Sequence, residues 1–340
     1  MILMLPQTFD DDAQVEAQMA TPSAELCEDL AKLDGGILVL GAGGKMGPTL
    51  ARLAKNAAPD KQVIAVARFS QAGVRESLED HNVQTQSVDL LDPVQIETLP
   101  KLPNVVFMAG RKFGSQGSEE LTWAMNTHVP ALVAKAFRDS RIVAMSTGCV
   151  YEFATPDKPS TETSPLNPPG EYANSCVGRE RMFEYFSKDY GTPGRLIRLN
   201  YAIDMRYGVL RDIAENVLNG RAIDLATGQV NVIWQGEANS QILRCLAHTT
   251  APTSPLNISG DVVSVRWLAT EFGKQLGRES EFVGQESQKG WVVDTTAAKK
   301  LFGPHQISLE QMIIWTADWV RHGRGGIGKP THYEVRDGAY

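Results

Sequence analysis

The run Ile37-Leu38-Val39-Leu40-Gly41-Ala42-Gly43-Gly44-Lys45-Met46-Gly47 constrains the fold more than any other stretch of the chain. Four consecutive apolar residues predict a short strand buried on both faces. Glycines at 41, 44 and 47 follow at once, as G-x-x-G-x-x-G, and a helix is predicted over 46–56. Strand, glycine turn and helix in this order form a dinucleotide-binding unit. Gly41 allows the tight turn, Gly44 lets backbone N–H groups approach a pyrophosphate, and Gly47 lets the helix pack on the strand. The helix N-terminus then presents its positive end to the phosphates. Gly41, Gly43, Gly44, Lys45, Met46 and Gly47 are therefore cofactor-site candidates.

The pattern repeats along the chain. Strands are predicted at 63–67, 82–89, 104–109, 141–146 and 195–199, with long helices at about 118–138 and 171–189. Apolar strands alternating with helices imply a doubly wound parallel sheet, an α/β Rossmann fold. Residues 154–170 carry five prolines and predict an irregular loop. Amphipathic helices are expected at 264–277 and 308–320, the second opened by a Ser308/Gln311 capping box, with Trp319 in the core. The chain divides into an N-terminal extension (1–35), a Rossmann domain (36–200), a smaller mixed α/β part interleaved with it (201–322) and a tail (323–340). In the extension Thr21-Pro22 reads as the start of a helix, and about the first 15 residues as a frayed leader. The tail's Gly323-to-Lys329 string mimics a phosphate loop, but it follows a helix and ends in proline.

The end of the second strand bears on cofactor choice. An acidic residue there would bind a ribose 2′-OH and select NAD. Here Arg68 stands after Ala67, suited to a 2′-phosphate. This favours NADP over NAD. Asp89 and Leu90 follow the third strand, and Ala109 and Gly110 the fourth; all four are candidates to face the cofactor.

Composition removes other classes. A net charge of −7 and a pI near 5.5, with no basic block, argue against nucleic acid and against an anionic membrane. No apolar run approaches the roughly 20 residues of a membrane span, and the start lacks the charged region of a secretory signal. Cys27, Cys149, Cys176 and Cys245 form no C-x-x-C pair, so neither zinc nor a disulfide framework is expected. A cytoplasmic location is the simplest reading.

The fifth strand runs into Met145-Ser146-Thr147-Gly148-Cys149-Val150-Tyr151, and Tyr172-Ala173-Asn174-Ser175-Cys176 follows the proline-rich loop. With the glycine loop, the Met108-Ala109-Gly110 segment, Asn126, TETSPLNPPGEY, RLNYA (198–202) and PLNISGDVVSVRWLA (255–269), these segments resemble the extended short-chain dehydrogenases/reductases, the NAD-dependent epimerase/dehydratase family. The resemblance implies Tyr172 as acid/base, Thr147 as the hydroxyl that positions substrate, Ser146 as its neighbour and Asn126 as a structural amide. It also implies a homodimer through the helices near 118–138 and 171–189. The family carries a lysine four residues after the tyrosine, and this chain has Cys176. An unassisted tyrosine has a pKa near 10, so only about 0.1% is phenolate at neutral pH. Tyr172 then suits a general acid better than a base. Arg179 and Lys112 are the cations within reach.

By the same resemblance, substrate lies between the sheet and the smaller part. Arg111, Lys112, Phe113, Asn200 and Trp234 are candidates to touch a sugar-like, hydroxylated molecule. Two functions compete: an NAD(P)-dependent oxidoreductase, epimerase or dehydratase, and a catalytically silent NAD(P)-binding sensor or scaffold.

Overall fold

The computed structural model describes residues 5–112, 117–328, 331 and 333–336. Its main sheet has strands β1 (Ile37–Leu40), β2 (Val63–Ala67), β3 (Gln84–Ser87), β4 (Asn104–Phe107), β5 (Arg141–Thr147), β6 (Gly194–Leu199) and β7 (Ser254–Ile258). Their spatial order is β7-β6-β5-β4-β1-β2-β3, and every neighbouring pair is parallel. Strand order reverses beside β1, which places a crevice at the carboxyl ends of β1 and β4.

Alternation along β1 feeds two cores. Ile37 and Val39 pack with Leu50, Leu53 and Ile242 on one face. Leu38 and Leu40 pack with Phe107, Val129 and Phe183 on the other. Each such fully buried side chain contributes about 1.5–3 kcal/mol. The strand at 82–89 shortens to β3, which lies at the sheet edge. Its Gln-Thr-Gln-Ser sequence fits an edge, where one side of the strand meets water.

A third core belongs to the smaller part. Ile213, Trp234, Phe272, Trp315 and Trp319 meet there, among helices Val209–Leu218, Val265–Leu276 and Leu309–Arg321. Ser308 Oγ caps the last of these, accepting from the Gln311 N–H at 3.2 Å. The proline-rich loop makes isolated pairings, among them Ala154 with Gly290 and Ser160 with Val293.

The long helix expected at 118–138 is broken. It runs Glu119–Trp123, opens into a π turn at Ala124–His128 and resumes at Val129–Ala136. Pro130 has no N–H for the Asn126 carbonyl four residues back. That carbonyl accepts instead from Arg179 Nε at 3.4 Å.

The N-terminus differs from the expected leader. A helix, Asp12–Met19, is capped by Asp11 and buries Val15 and Met19 completely. With only those two apolar residues facing inward, it had little periodic signal. The next helix, Ala24–Ala31, is capped by Ser23 rather than Thr21. Thr21 Oγ1 donates to the Ala17 carbonyl of the preceding helix at 2.9 Å, which fixes the turn between the two. Among the described residues, no helix is long and apolar enough to cross a membrane.

Candidate active site

A cavity of about 1020 Å3 opens at the carboxyl ends of β1 and β4, at the upper end of the range for small-molecule sites. The glycine loop forms one wall. Gly41 has φ +87°, and a Cβ there would lie 2.4 Å from Ala109 N. A Cβ on Gly47 would lie 2.4 Å from the Ala42 carbonyl oxygen. Both glycines are therefore fixed by sterics. At Gly44 the nearest atom would be 3.7 Å away, so its cleft side is open. The helix that follows, Gly47–Ala57, has no side-chain cap and no acid in its first turn. Its leading N–H groups are thus available to an anion.

Lys45 crosses from this loop to the smaller part. Its Nζ donates to the Ala202 carbonyl at 3.3 Å and sits 4.0 Å over the Tyr207 ring. Burial pulls its ammonium down to about 8, against the opposing pull of Asp204. A glycine loop with an open middle, an uncapped helix and an adjoining ammonium fits a dinucleotide pyrophosphate.

Thr147 ends β5, and Tyr172 opens the helix Gly170–Tyr190. Their side chains are hydrogen-bonded to each other. Thr147 Oγ1 also accepts from Cys149 N at 3.1 Å. Both residues line the cavity with the glycine loop. Burial raises the Tyr172 phenol well above its ordinary value; the Cys176 and Cys149 thiols push the same way, while Arg179 and the Thr147 hydrogen bond oppose.

Cys176 lies one helical turn beyond Tyr172, is fully buried, and packs with Val150, Tyr151 and Val293. Burial pushes its thiol up. It does not line the cavity, and it reads as a core residue, not a reactive one. Arg179, on the same helix, also lines the cavity, and its charge opposes the rise at Tyr172 although neutral oxygens hold its guanidinium in place. Nη1 donates to the Met145 carbonyl at 2.8 Å and Nη2 to Asn126 Oδ1 at 2.7 Å. Lys112 lines the cavity; burial pulls its ammonium below the ordinary lysine value, with Cys149 and Cys176 pulling the other way.

Several expected residues take other parts. Asn126 is buried and clamps the loop after β4. Its Oδ1 accepts from Arg111 N at 2.8 Å, and its Nδ2 donates to Arg111 O at 2.8 Å and Ser175 Oγ at 2.9 Å. It positions the loop and does not line the cavity. A Cβ on Gly110 would strike Arg179 Nη2 at 2.4 Å, which keeps that loop closely packed. Ser146 faces the cavity wall, but its hydroxyl donates to Glu180 Oε1 at 2.5 Å. Asn200 lines the cavity while its Nδ2 donates to the Trp291 carbonyl at 2.6 Å. Arg111 and Met46 also line it.

Trp234 is a correction. It is 2% exposed, packs tilted against Trp315 with ring centroids 5.3 Å apart, and lines a different cavity, because its strand turns it into the third core. Leu90 and Ala109 are buried, with Leu90 in the sheet's apolar core, so only their backbones could face a cofactor. Asp89 Oδ1 accepts from Leu91 N at 3.0 Å, a local turn. Arg68 is exposed just past β2, while the wall on that side is made by Gln71, Gly73 and Ser77. Phe113 lies outside the described residues.

The smaller part and the tail contribute residues the sequence did not single out. Arg206 and Tyr207 line the cavity, as do Trp291, Ile327 and Tyr333. Arg206 is bound by Glu16 at 3.1 Å and Asp204 at 3.3 Å. The Ile327 N–H donates to Arg206 O at 3.1 Å, so the tail returns over the cleft. These positions sit in loops with no periodicity, and only their polar and aromatic character could have marked them.

The model of the NAD dependent epimerase/dehydratase family matches residues 37–235. Among solved structures, UDP-glucose 4-epimerase of Thermotoga maritima superposes with a TM-score of 0.69 at 19% identity, covering 85% of this chain and 99% of that one. dTDP-glucose 4,6-dehydratase of Bacillus anthracis, in complex with NAD, gives 0.73 at 17% identity, covering 85% and 97%. UDP-glucuronic acid 4-epimerase of Bacillus cereus, with UDP-glucuronic acid and NAD, gives 0.71 at 17% identity, covering 84% and 99%. No curated protein matches the chain in sequence.

Proposed function

The chain belongs to the NAD dependent epimerase/dehydratase family, and from that premise we propose that it acts on a hydroxyl- or carbonyl-bearing carbon of a sugar nucleotide. One observation carries the reading: a single cavity joins the open glycine loop to the hydrogen-bonded Tyr172–Thr147 pair. Gly44, Lys45 and the N–H groups leading the helix Gly47–Ala57 would hold the pyrophosphate. Bound there, a nicotinamide cofactor supplies a hydride donor or acceptor.

The chain's own residues handle the proton. Thr147 Oγ holds the substrate oxygen, and Tyr172 Oη gives its proton to that oxygen or takes one from it. Burial favours the protonated phenol, so donation is the easier direction at neutral pH. Lys112 adds the positive field that a lysine at 176 would have supplied. A homodimer through the helices at 119–136 and Gly170–Tyr190 is in keeping with Trp123, Tyr185 and Tyr190 standing exposed on them.

NADP is the proposed preference, with Arg68 meeting the 2′-phosphate, since no carboxylate stands at the end of β2 to repel it. Arg68→Ala should weaken NADPH binding about tenfold, the scale of one charge-assisted contact, and leave NADH affinity unchanged. Equal losses for both nucleotides in a fluorescence titration would remove the preference.

The absence of a lysine at 176 favours a second reading, a silent nucleotide-binding protein. Lys112→Met separates the two. An active enzyme should turn over UDP-glucose or a related sugar nucleotide, and the variant should lose at least about tenfold in kcat with cofactor affinity intact. A silent protein binds nucleotide and turns over nothing in either form.

A further inference from the structure

Among the described residues, three that are not glycine have a backbone in the left-handed region: Phe69, Asn82 and Tyr201. Asparagine adopts that conformation readily, whereas a bulky side chain there is an outlier. Of the three, Tyr201, with φ +36°, lines the main cavity. Such strain persists only where the surroundings over-determine it, and it gathers at ligand sites.

The surroundings of Tyr201 do over-determine it. Asn200 N donates to the Ile258 carbonyl at 3.1 Å, and Ser259 Oγ donates to the Asn200 carbonyl at 2.8 Å. The Tyr201 carbonyl accepts from Ile233 N at 3.2 Å, and the Ala202 carbonyl from Lys45 Nζ at 3.3 Å. These bonds hold three consecutive residues where the chain leaves β6. The same turn lies against the one that follows β5: a Cβ on Gly148 would be 2.2 Å from Asn200 Oδ1. Thr147 and Cys149 flank that glycine, so Tyr201 stands beside the turn that carries Thr147.

Tyr201 packs against the third core and lines the cavity together with Thr147, Cys149 and Tyr172. Burial raises its phenol most, and Cys149 and Tyr333 raise it further. The Cys149 thiol also bears on the Tyr172 phenol, which puts the two hydroxyls at one end of the cavity. Remaining protonated, the Tyr201 hydroxyl is a hydrogen-bond donor. Among the described residues no group accepts from it, and it is not sealed from water.

We propose that Tyr201 is a specificity-determining residue whose hydroxyl donates to a sugar oxygen of the substrate, near the Tyr172–Thr147 pair. The proposal deepens the sugar-nucleotide reading and rests on it. The strained turn holds the ring at the cavity wall, and the open hydroxyl is what the ring brings there.

Calorimetric titration of the full chain with UDP-glucose and dTDP-glucose, in the presence of NADH and NADPH, tests this; UDP and dTDP are the sugar-free controls. Wild type should bind at least one sugar nucleotide saturably. Tyr201→Phe keeps the ring and the backbone strain and removes only the hydroxyl. It should weaken that sugar nucleotide about three- to tenfold, the scale of one neutral hydrogen bond, and leave the matching nucleoside diphosphate unchanged. Its melting temperature should stay within about 2 °C of wild type, because the hydroxyl holds nothing within the fold. Unchanged sugar-nucleotide affinity, an equal loss for the diphosphate, or a larger drop in melting temperature would overturn the proposal and leave the sugar-nucleotide reading standing. Failure of wild type to bind either sugar nucleotide would remove both.

Discussion

Tyr172→Phe is expected to lower turnover by about 10²–10⁴-fold, the range for losing a positioned general acid or base, while cofactor affinity stays unchanged. The phenol is hydrogen-bonded to Thr147, and both line the glycine-loop cavity. Phenylalanine keeps the ring and its packing and removes only the proton. The wild-type pH profile follows from the same environment. Burial, with the Cys176 and Cys149 thiols behind it, raises the phenol, so the protonated form prevails at neutral pH. Carbonyl reduction should therefore run flat through neutrality. Alcohol oxidation, which needs the phenolate, should climb into the alkaline range. Steady-state rates in both directions against pH check this. A Tyr172→Phe enzyme within threefold of wild type, or an oxidation rate that falls as pH rises, would show that Tyr172 is not the proton carrier.

The second large effect is on stability. Arg198→Met should destabilise the fold by about 3–5 kcal/mol, because it leaves a buried charge unpaired. Arg198 and Glu180 have side chains 3% and 0% exposed, with Nη2 and Oε2 2.7 Å apart. Arg198 Nη1 donates to Tyr151 Oη at 2.7 Å, and that hydroxyl donates to Asn257 Oδ1 at 2.7 Å. Burial leads in pushing the Tyr151 phenol up to about 12, so it remains a donor. Ser146 Oγ donates to the same Glu180. The network fastens the helix that carries Tyr172 to β5, which ends at Thr147, and to its neighbour β6. Denaturant unfolding of Arg198→Met, Glu180→Gln and the double variant should give a coupling of about 0.5–3 kcal/mol. Strict additivity would mean that the two side chains do not act as a pair. Turnover should fall with stability here, since the Tyr172–Thr147 contact depends on the same helix.

Much of this was readable from the chain itself. Ile37-Leu38-Val39-Leu40 and the glycines after it were legible because an apolar strand and a steric requirement each leave a local mark. The order of β1 to β6 was legible for the same reason. The helix Asp12–Met19 was not, since two buried residues in eight give no clear period. The π turn at Ala124–His128 has a local cause, Pro130, but its use in freeing the Asn126 carbonyl for Arg179 depends on a partner far along the chain. Trp234 misled because an aromatic residue near a strand end resembles a binding residue until tertiary packing decides its side. Arg206, Tyr207, Trp291 and Tyr333 meet only when loops from several parts of the chain converge.

The departure at Cys176 is where sequence and structure inform each other most. The sequence shows a thiol in the lysine's place, and the structure buries that thiol against Val150, Tyr151 and Val293 with a hydrogen bond to the Tyr172 side chain. Lys112 approaches from the loop after β4, whose course Asn126 fixes through Arg111.

Fluorescence titration of the purified chain with NADPH and NADH tests the central claim most directly. Saturable binding of at least one nucleotide is expected, and Gly44→Val should abolish it, because a branched side chain would fill the open side of the loop. A chain that binds neither nucleotide, or that binds as well after Gly44→Val, would contradict the account.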